Sequence, residues 1–234
     1  MYQLLVSIVK AVVGWKFKIT VQDAQNIPRY GPVVVVFNHT DFLDIIAIMF
    51  AIRHNLTAFL SYTHQRNPFV RLFNLTKCVI FVSRGTKDTE ALQNAITLLN
   101  EDGWLVVAPE GTRGGDVLSG VQQITRSVAE LGRGRYGVAY IVAESSILKD
   151  VPILPIGIIG ATGGYSRLVK GPFFERIKIT VRIGAPFTLD TTSVGDLSDL
   201  EARGVKDKLA QIVNAQVMPR IAELIPEDMR GSFA

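Results

Sequence analysis

The sequence predicts an α/β fold in which a mostly parallel central sheet is flanked by helices. Three observations carry this reading. Short, continuous apolar runs at Val33–Phe37, 104–108 and Ile153–Ile159 have the character of strands buried on both faces. Helical stretches separate them, at 41–52 and at 86–100, the second with Leu92, Ala95, Ile96 and Leu99 on its inner side. Strands alternating with helices place a parallel sheet between helical layers.

The elements follow in order. From 1 to 14 the polar positions Gln3, Ser7, Lys10 and Gly14 fall at intervals of four, three and four, so they line one stripe of a short amphipathic helix. Two readings of it stay open, a helix packed on the core and an interfacial helix lying in a bilayer surface, anchored by Trp15, Lys16 and Lys18. It is a poor signal peptide, because its start is not basic and Lys10 interrupts the apolar run. At 15–21, Trp15, Phe17, Ile19 and Val21 alternate with Lys16, Lys18 and Thr20, as in a half-buried strand. Two prolines and a glycine make 26–32 a loop. Val79–Val82 is expected as a buried strand, and Ile177–Ile183 alternates as a half-buried one. Val117, Val121, Ile124, Val128 and Leu131 repeat as on an amphipathic helix, followed at 132–137 by a segment rich in glycine and arginine. That segment reads as a mobile loop beside a packed helix, or as a lid or membrane-facing element. From about Asp199 the chain is expected to be helical, with a break at Pro219. No repeat or linker divides it, so residues 15–234 form one domain behind the helix of 1–14, with an extended segment at 114–150 and C-terminal helices at 198–225.

Composition narrows the function classes. The 234 residues are 48% apolar and 20% charged, enough for a full core. Mean hydropathy is +0.27, high for a freely soluble enzyme. No run reaches the roughly 18 uncharged apolar residues of a spanning helix. The net charge of +4 fits anionic lipid or phosphorylated substrates and does not require nucleic acid. One cysteine excludes an internal disulfide and a cysteine zinc site, and suits a reducing cytoplasm.

Three apolar runs each end in a polar cluster. Asn38-His39-Thr40-Asp41-Phe42-Leu43-Asp44 follows the first, Ser83-Arg84-Gly85 the run at 79–82, and Pro109-Glu110-Gly111-Thr112-Arg113 the run at 104–108. In open α/β sheets ligands bind at the carboxyl ends of the strands, so the clusters converge. His39 and Asp44 would point about 140° apart on one helix. They meet only if His39 lies in the turn and Asp44 in the first or second helical turn. The carboxylate then holds one ring nitrogen and leaves the other free to take a proton. Gly111 allows close backbone approach, Thr112 adds a hydroxyl, and Arg113 and Arg84 offer guanidinium forks for phosphate. His54 and His64 lack metal-ligand spacing, and no metal is expected.

These residues resemble the glycerolipid acyltransferase family, which includes the 1-acylglycerol-3-phosphate acyltransferases. The family's block N-H-x4-D is matched by Asn38, His39 and Asp44. The block G-x-x-F-I-D-R is matched by Phe81 and Arg84, with Cys78 and Ser83 departing. The block F-P-E-G-T-R-S is matched from Pro109 through Arg113, with Ala108 and Gly114 departing. The block V-P-I-V-P-V is matched by Val151, Pro152, Ile153, Leu154, Pro155 and Ile156. The four blocks stand in the family's order over roughly residues 15–185, and the stretch 114–150 is longer than usual for the family.

The resemblance implies a glycerol-phosphate acyltransferase-like fold and an acyl transfer. His39 would be the general base, oriented by Asp44. Arg84, Glu110, Gly111, Thr112 and Arg113 would bind the phosphate of the acceptor. The acyl thioester, on coenzyme A or acyl carrier protein, would be a co-substrate, with no other cofactor. The acceptor would be lysophosphatidate, acylated at sn-2 to phosphatidate; glycerol 3-phosphate or another lysolipid is the neighbouring reading. From a different class comes a non-catalytic lipid-binding or membrane-remodelling module, which would not need an oriented base. A hydrolase is disfavoured, since no G-x-S-x-G elbow occurs. The expected site of action is the cytoplasmic side of a membrane, with peripheral or monotopic attachment.

Overall fold

The computed structural model describes residues 1–66, 68–83, 88–111, 130–145, 150–194, 197 and 204–234. The expected amphipathic repeat at 117–128 lies outside them, as do Arg84, Thr112 and Arg113.

The helices are α1 (Tyr2–Val13), α2 (Leu43–Ala51), α3 (Pro68–Asn74), α4 (Thr89–Asn100), α5 (Gly137–Ser145), α6 (Gly164–Lys170), α7 (Val205–Ile212) and α8 (Met218–Ala222). The strands are β1 (Phe17–Gln22), β2 (Val33–Phe37), β3 (Leu56–Ser61), β4 (Val79–Val82), β5 (Trp104–Val107), β6 (Ile153–Ile159) and β7 (Ile177–Ile183). They form one sheet in the order β1-β7-β6-β2-β5-β3-β4. All neighbours are parallel except β6 and β7, so β1 and β7 run against the other five. The expected mostly parallel sheet is the one found.

Five consecutive apolar residues suit β2 because helices cover it on both sides. Val33, Val35 and Phe37 face a core shared with α1 and α2, reaching Phe73 of α3 and Leu168 of α6. Val34 and Val36 face a second core built with α4, α5, α7 and α8. β7 alternates because only one of its faces is covered: Ile177, Ile179, Val181 and Ile183 are buried and Lys178 between them is exposed. β4 is a half-buried edge strand, a correction to the buried strand expected there. At an edge, one flank has no neighbour to exclude water.

α4 begins at Thr89, not at 86, because the Asp88 side chain caps it by accepting the Ala91 N–H at 3.0 Å. β3, α3 and α6 have no counterpart in the sequence reading, and α5 falls within the extended helical or loop segment expected at 114–150. The break expected at Pro219 is also corrected. The helix runs through it by widening into a π-helical turn at Val213–Val217, where the Met218 N–H reaches back to Val213 O. The wide turn takes up the missing proline N–H without ending the helix.

The connections leaving β2 and β5 set the site. The two strands are neighbours, yet β2 is followed by α2 on one face and β5 by α5 on the other. In open α/β sheets, ligands bind at the carboxyl ends of strands whose connections part in this way. β6, on the other side of β2, is pressed against the chain following α8: a methyl on Gly157 would lie 2.6 Å from Leu224 O and from Leu224 Cβ. Gly157→Ala should lower folding stability by about 1–3 kcal/mol, the usual cost of overpacking, read as a lower midpoint in urea unfolding.

Candidate active site

β2 ends at Phe37, and the next residue fixes the direction of the turn. Asn38 is buried and its amide pairs with the Ile158 backbone both ways, donating to the carbonyl at 2.9 Å and accepting the N–H at 2.7 Å. A side chain thus continues the β2–β6 ladder for one more step, and the main chain is released towards α2.

His39 lies in that turn and Asp44 in the first turn of α2, where the spacing requires them to meet. The Asp44 carboxyl is fully buried and surrounded by donors. Its Oδ2 accepts the Thr40 N–H at 2.7 Å and the Asp41 N–H at 2.8 Å, and lies 2.9 Å from His39 Nδ1. Its Oδ1 accepts the Thr40 hydroxyl at 3.2 Å. Every other neighbour of this carboxylate donates, an arrangement that suits a donor at Nδ1; in the neutral imidazole of that tautomer Nε2 is the acceptor. The imidazole keeps 15% of its surface open, and its ring stands edge-on to Phe37 at 5.6 Å between centroids.

Asp41 fastens the other side of this turn. Its Oδ1 accepts the Leu43 N–H and the Tyr165 N–H, both at 3.1 Å, tying the histidine turn to α6. Sequence reading assigned no role to Asp41 or Tyr165.

The end of β5 lies beside it. Glu110 is buried; its Oε1 accepts the His39 N–H at 3.4 Å and its Oε2 the Gly132 N–H at 2.8 Å. A buried carboxylate engaged by backbone donors holds the frame of the site. Gly111 has φ +72°, which favours glycine, and its N–H is committed to Ala108 O at 3.0 Å. Its contribution is shape and the absence of a Cβ.

The strand that leads to the third cluster stands farther away. β4 ends at Val82 and β3 lies between β4 and β5, so the strand that precedes Arg84 is two spacings, about 10 Å, from β5. His54 stacks on Trp104 at 4.0 Å, at the start of β5 and away from this edge.

Residues 18–159 match the family model described as Acyltransferase. The chain belongs to the acyltransferase family. This stretch runs from β1 to the end of β6 and contains His39, Asp44, Glu110 and Gly111. Over 103 residues the acyltransferase is 30% identical to the 1-acyl-sn-glycerol-3-phosphate acyltransferase of Borreliella burgdorferi, an alignment covering 42% of this chain and 41% of that enzyme. The crystal structure of the 1-acyl-sn-glycerophosphate acyltransferase of Thermotoga maritima superposes with a TM-score of 0.59 at 22% identity, over 92% of this chain and 80% of that one. The two share a fold.

Replacing Asp44 by asparagine puts an amide where every neighbour donates, so the imidazole loses the partner that sets its tautomer. Asp44→Asn should lower kcat for acyl transfer by about 10²–10⁴-fold, measured by steady-state kinetics on protein whose circular dichroism matches that of the parent.

Proposed function

We propose that this acyltransferase moves a fatty acyl group from a thioester to the sn-2 hydroxyl of lysophosphatidate, giving phosphatidate. The observation that carries the reading is the His39 imidazole, held through Nδ1 by a buried carboxylate at 2.9 Å with Nε2 directed away from it. The names of the two relatives supply the acceptor class.

The chemistry follows from that nitrogen. Nε2 takes the proton of the acceptor hydroxyl as the oxygen attacks the thioester carbonyl carbon. The tetrahedral intermediate collapses with cleavage of the C–S bond. The thiolate of coenzyme A or acyl carrier protein leaves and receives the proton from Nε2. A thioester is already activated, so His39 need not form a covalent intermediate. General-base catalysis supplies about 10²–10⁴-fold, and positioning of the two substrates adds to it. By resemblance, Arg84, Glu110, Gly111, Thr112 and Arg113 would contribute to holding the acceptor's phosphate. His39→Ala should reduce acyl transfer to background with labelled acyl-coenzyme A and lysophosphatidate, while the unfolding midpoint stays within a few degrees. Turnover equal to the parent's would remove the assignment, and an acceptor panel including glycerol 3-phosphate and zwitterionic lysolipids tests the choice of lysophosphatidate.

The same reading places the chain peripherally on the cytoplasmic face of a membrane. Among the described residues no helix is long and apolar enough to cross one. Leu4, Ile8 and Val12 form an exposed row along α1, and the Trp15 ring meets Phe173 at 4.5 Å. Phe173 and Phe174 are 67% and 89% exposed, and Tyr165 and Val169 of α6 are exposed as well. Lys16 donates to Pro172 O at 2.6 Å and lies over both the Trp15 and Phe173 rings, so the two parts of the surface are joined. Phe42, in the histidine turn, packs edge-on against Tyr165 at 6.0 Å. Apolar surface of this kind with basic neighbours suits an interfacial position beside anionic headgroups. Changing Phe173 and Phe174 together to serine should weaken sedimentation with anionic vesicles about tenfold. Equal sedimentation of the two proteins would move the contact elsewhere.

A further inference from the structure

The segment after Leu131 reads Gly132-Arg133-Gly134-Arg135, the glycine- and arginine-rich stretch expected to be a mobile loop. It belongs to no helix or strand, yet it is fastened at almost every residue. Leu131 donates its N–H to Met229 O at 2.8 Å and Gly132 to Glu110 Oε2 at 2.8 Å. Gly134 exchanges two hydrogen bonds with the Asn214 amide, at 2.9 and 2.8 Å, and the Arg135 N–H reaches Pro109 O at 2.9 Å. A methyl on Gly134 would collide with Val213 and Met218, so glycine is required for this close seat.

The fastening has one outcome at the surface. The Arg135 side chain is laid across Gly111: a methyl at Gly111 would stand 3.0 Å from Arg135 Cδ and 3.3 Å from Nε. Gly111 directly follows Glu110, whose other oxygen takes the His39 N–H. Arg135 is exposed, and its guanidinium forms no hydrogen bond or ion pair among the described residues. A surface arginine ordinarily finds a carboxylate or points into bulk water. This one is held at the strand edge where the base stands, with no partner for its fork among the described residues.

We propose that Arg135 binds the phosphate of the acceptor, a specificity-determining contact supplied by the loop behind β5. The assignment rests on the reading of a phosphorylated acceptor given above. A guanidinium takes two phosphate oxygens in parallel, whereas a lysine ammonium acts as a point charge. Gly111 has no side chain to separate the fork from a ligand at the end of β5.

The test compares Arg135→Ala, Arg135→Lys and Arg133→Ala with the parent, using lysophosphatidate and 1-monoacylglycerol, which has the same acyl chain and sn-2 hydroxyl but a hydroxyl in place of the phosphate. Arg135→Ala should weaken lysophosphatidate binding and raise its KM about tenfold, the scale of a charge-assisted hydrogen bond. Arg135→Lys should recover part of that loss. Binding of 1-monoacylglycerol should change less than twofold in either variant, and Arg133→Ala should match the parent throughout. Equal weakening for both ligands, or an Arg135→Ala variant indistinguishable from the parent, would overturn the proposal while leaving acyl transfer to lysophosphatidate intact. A parent that binds lysophosphatidate without acylating it, with Arg135→Ala binding tenfold weaker, would support the contact and overturn the proposed function. A parent that neither binds nor acylates it would overturn both.

Discussion

A fully buried carboxyl at the start of a helix dictates the shape of the site. Asp44 is removed from water, and such a group is tolerated only where donors replace its hydration. Two backbone N–H groups, one hydroxyl and one imidazole do so within 3.2 Å. Satisfying Asp44 forces the chain from Thr40 to Asp41 to curl around one point. The same curl brings His39 in as the last donor, with its second nitrogen directed away. The base is therefore positioned by a folding requirement, and its orientation needs no substrate.

Neighbouring elements extend this constraint outward. Asn38 ends the strand by imitating backbone and sets where the curl starts. Asp41 carries the link to α6, and Glu110 carries it to the turn after β5 and on to Gly132. These three buried polar side chains, like Asp44, bond backbone groups of loops or strand ends. Loops that would otherwise vary in position are thereby tied to the sheet, as a site built for orientation demands.

Much of this was legible in the sequence because it is local. The run Val33–Phe37 marks a strand covered on both faces, and the polar residues after it mark the end facing ligand. His39 and Asp44 are five apart, and only one arrangement lets them touch. What was not legible depends on partners far along the chain. Leu56–Ser61 carries Thr57 and Ser61 within a short apolar stretch, and it becomes a strand because β5 and β4 pair with it. Local pattern says nothing of strand order, so the place of β4 at the edge, with β3 between it and β5, was hidden. The Glu110 contacts with Gly132 and His39, which lie 22 and 71 residues away, were hidden as well. The sequence signal for the loop was present in its alternating glycines and arginines, but its seat on Val213 and Met218 was not.

The widened turn at Val213–Val217 carries a further meaning for the same loop. A π turn holds one residue more than the α-helical turn it replaces. Asn214, which clasps Gly134, lies inside it. Removing one residue there would restore ordinary winding and take away the extra residue that sets the Asn214 amide opposite Gly134. The amide would swing off the loop, and the guanidinium beyond it would lose its bearing on Gly111. The bearing of Arg135 on Gly111 is thus tied to the residue count of one helical turn on the sheet's far side.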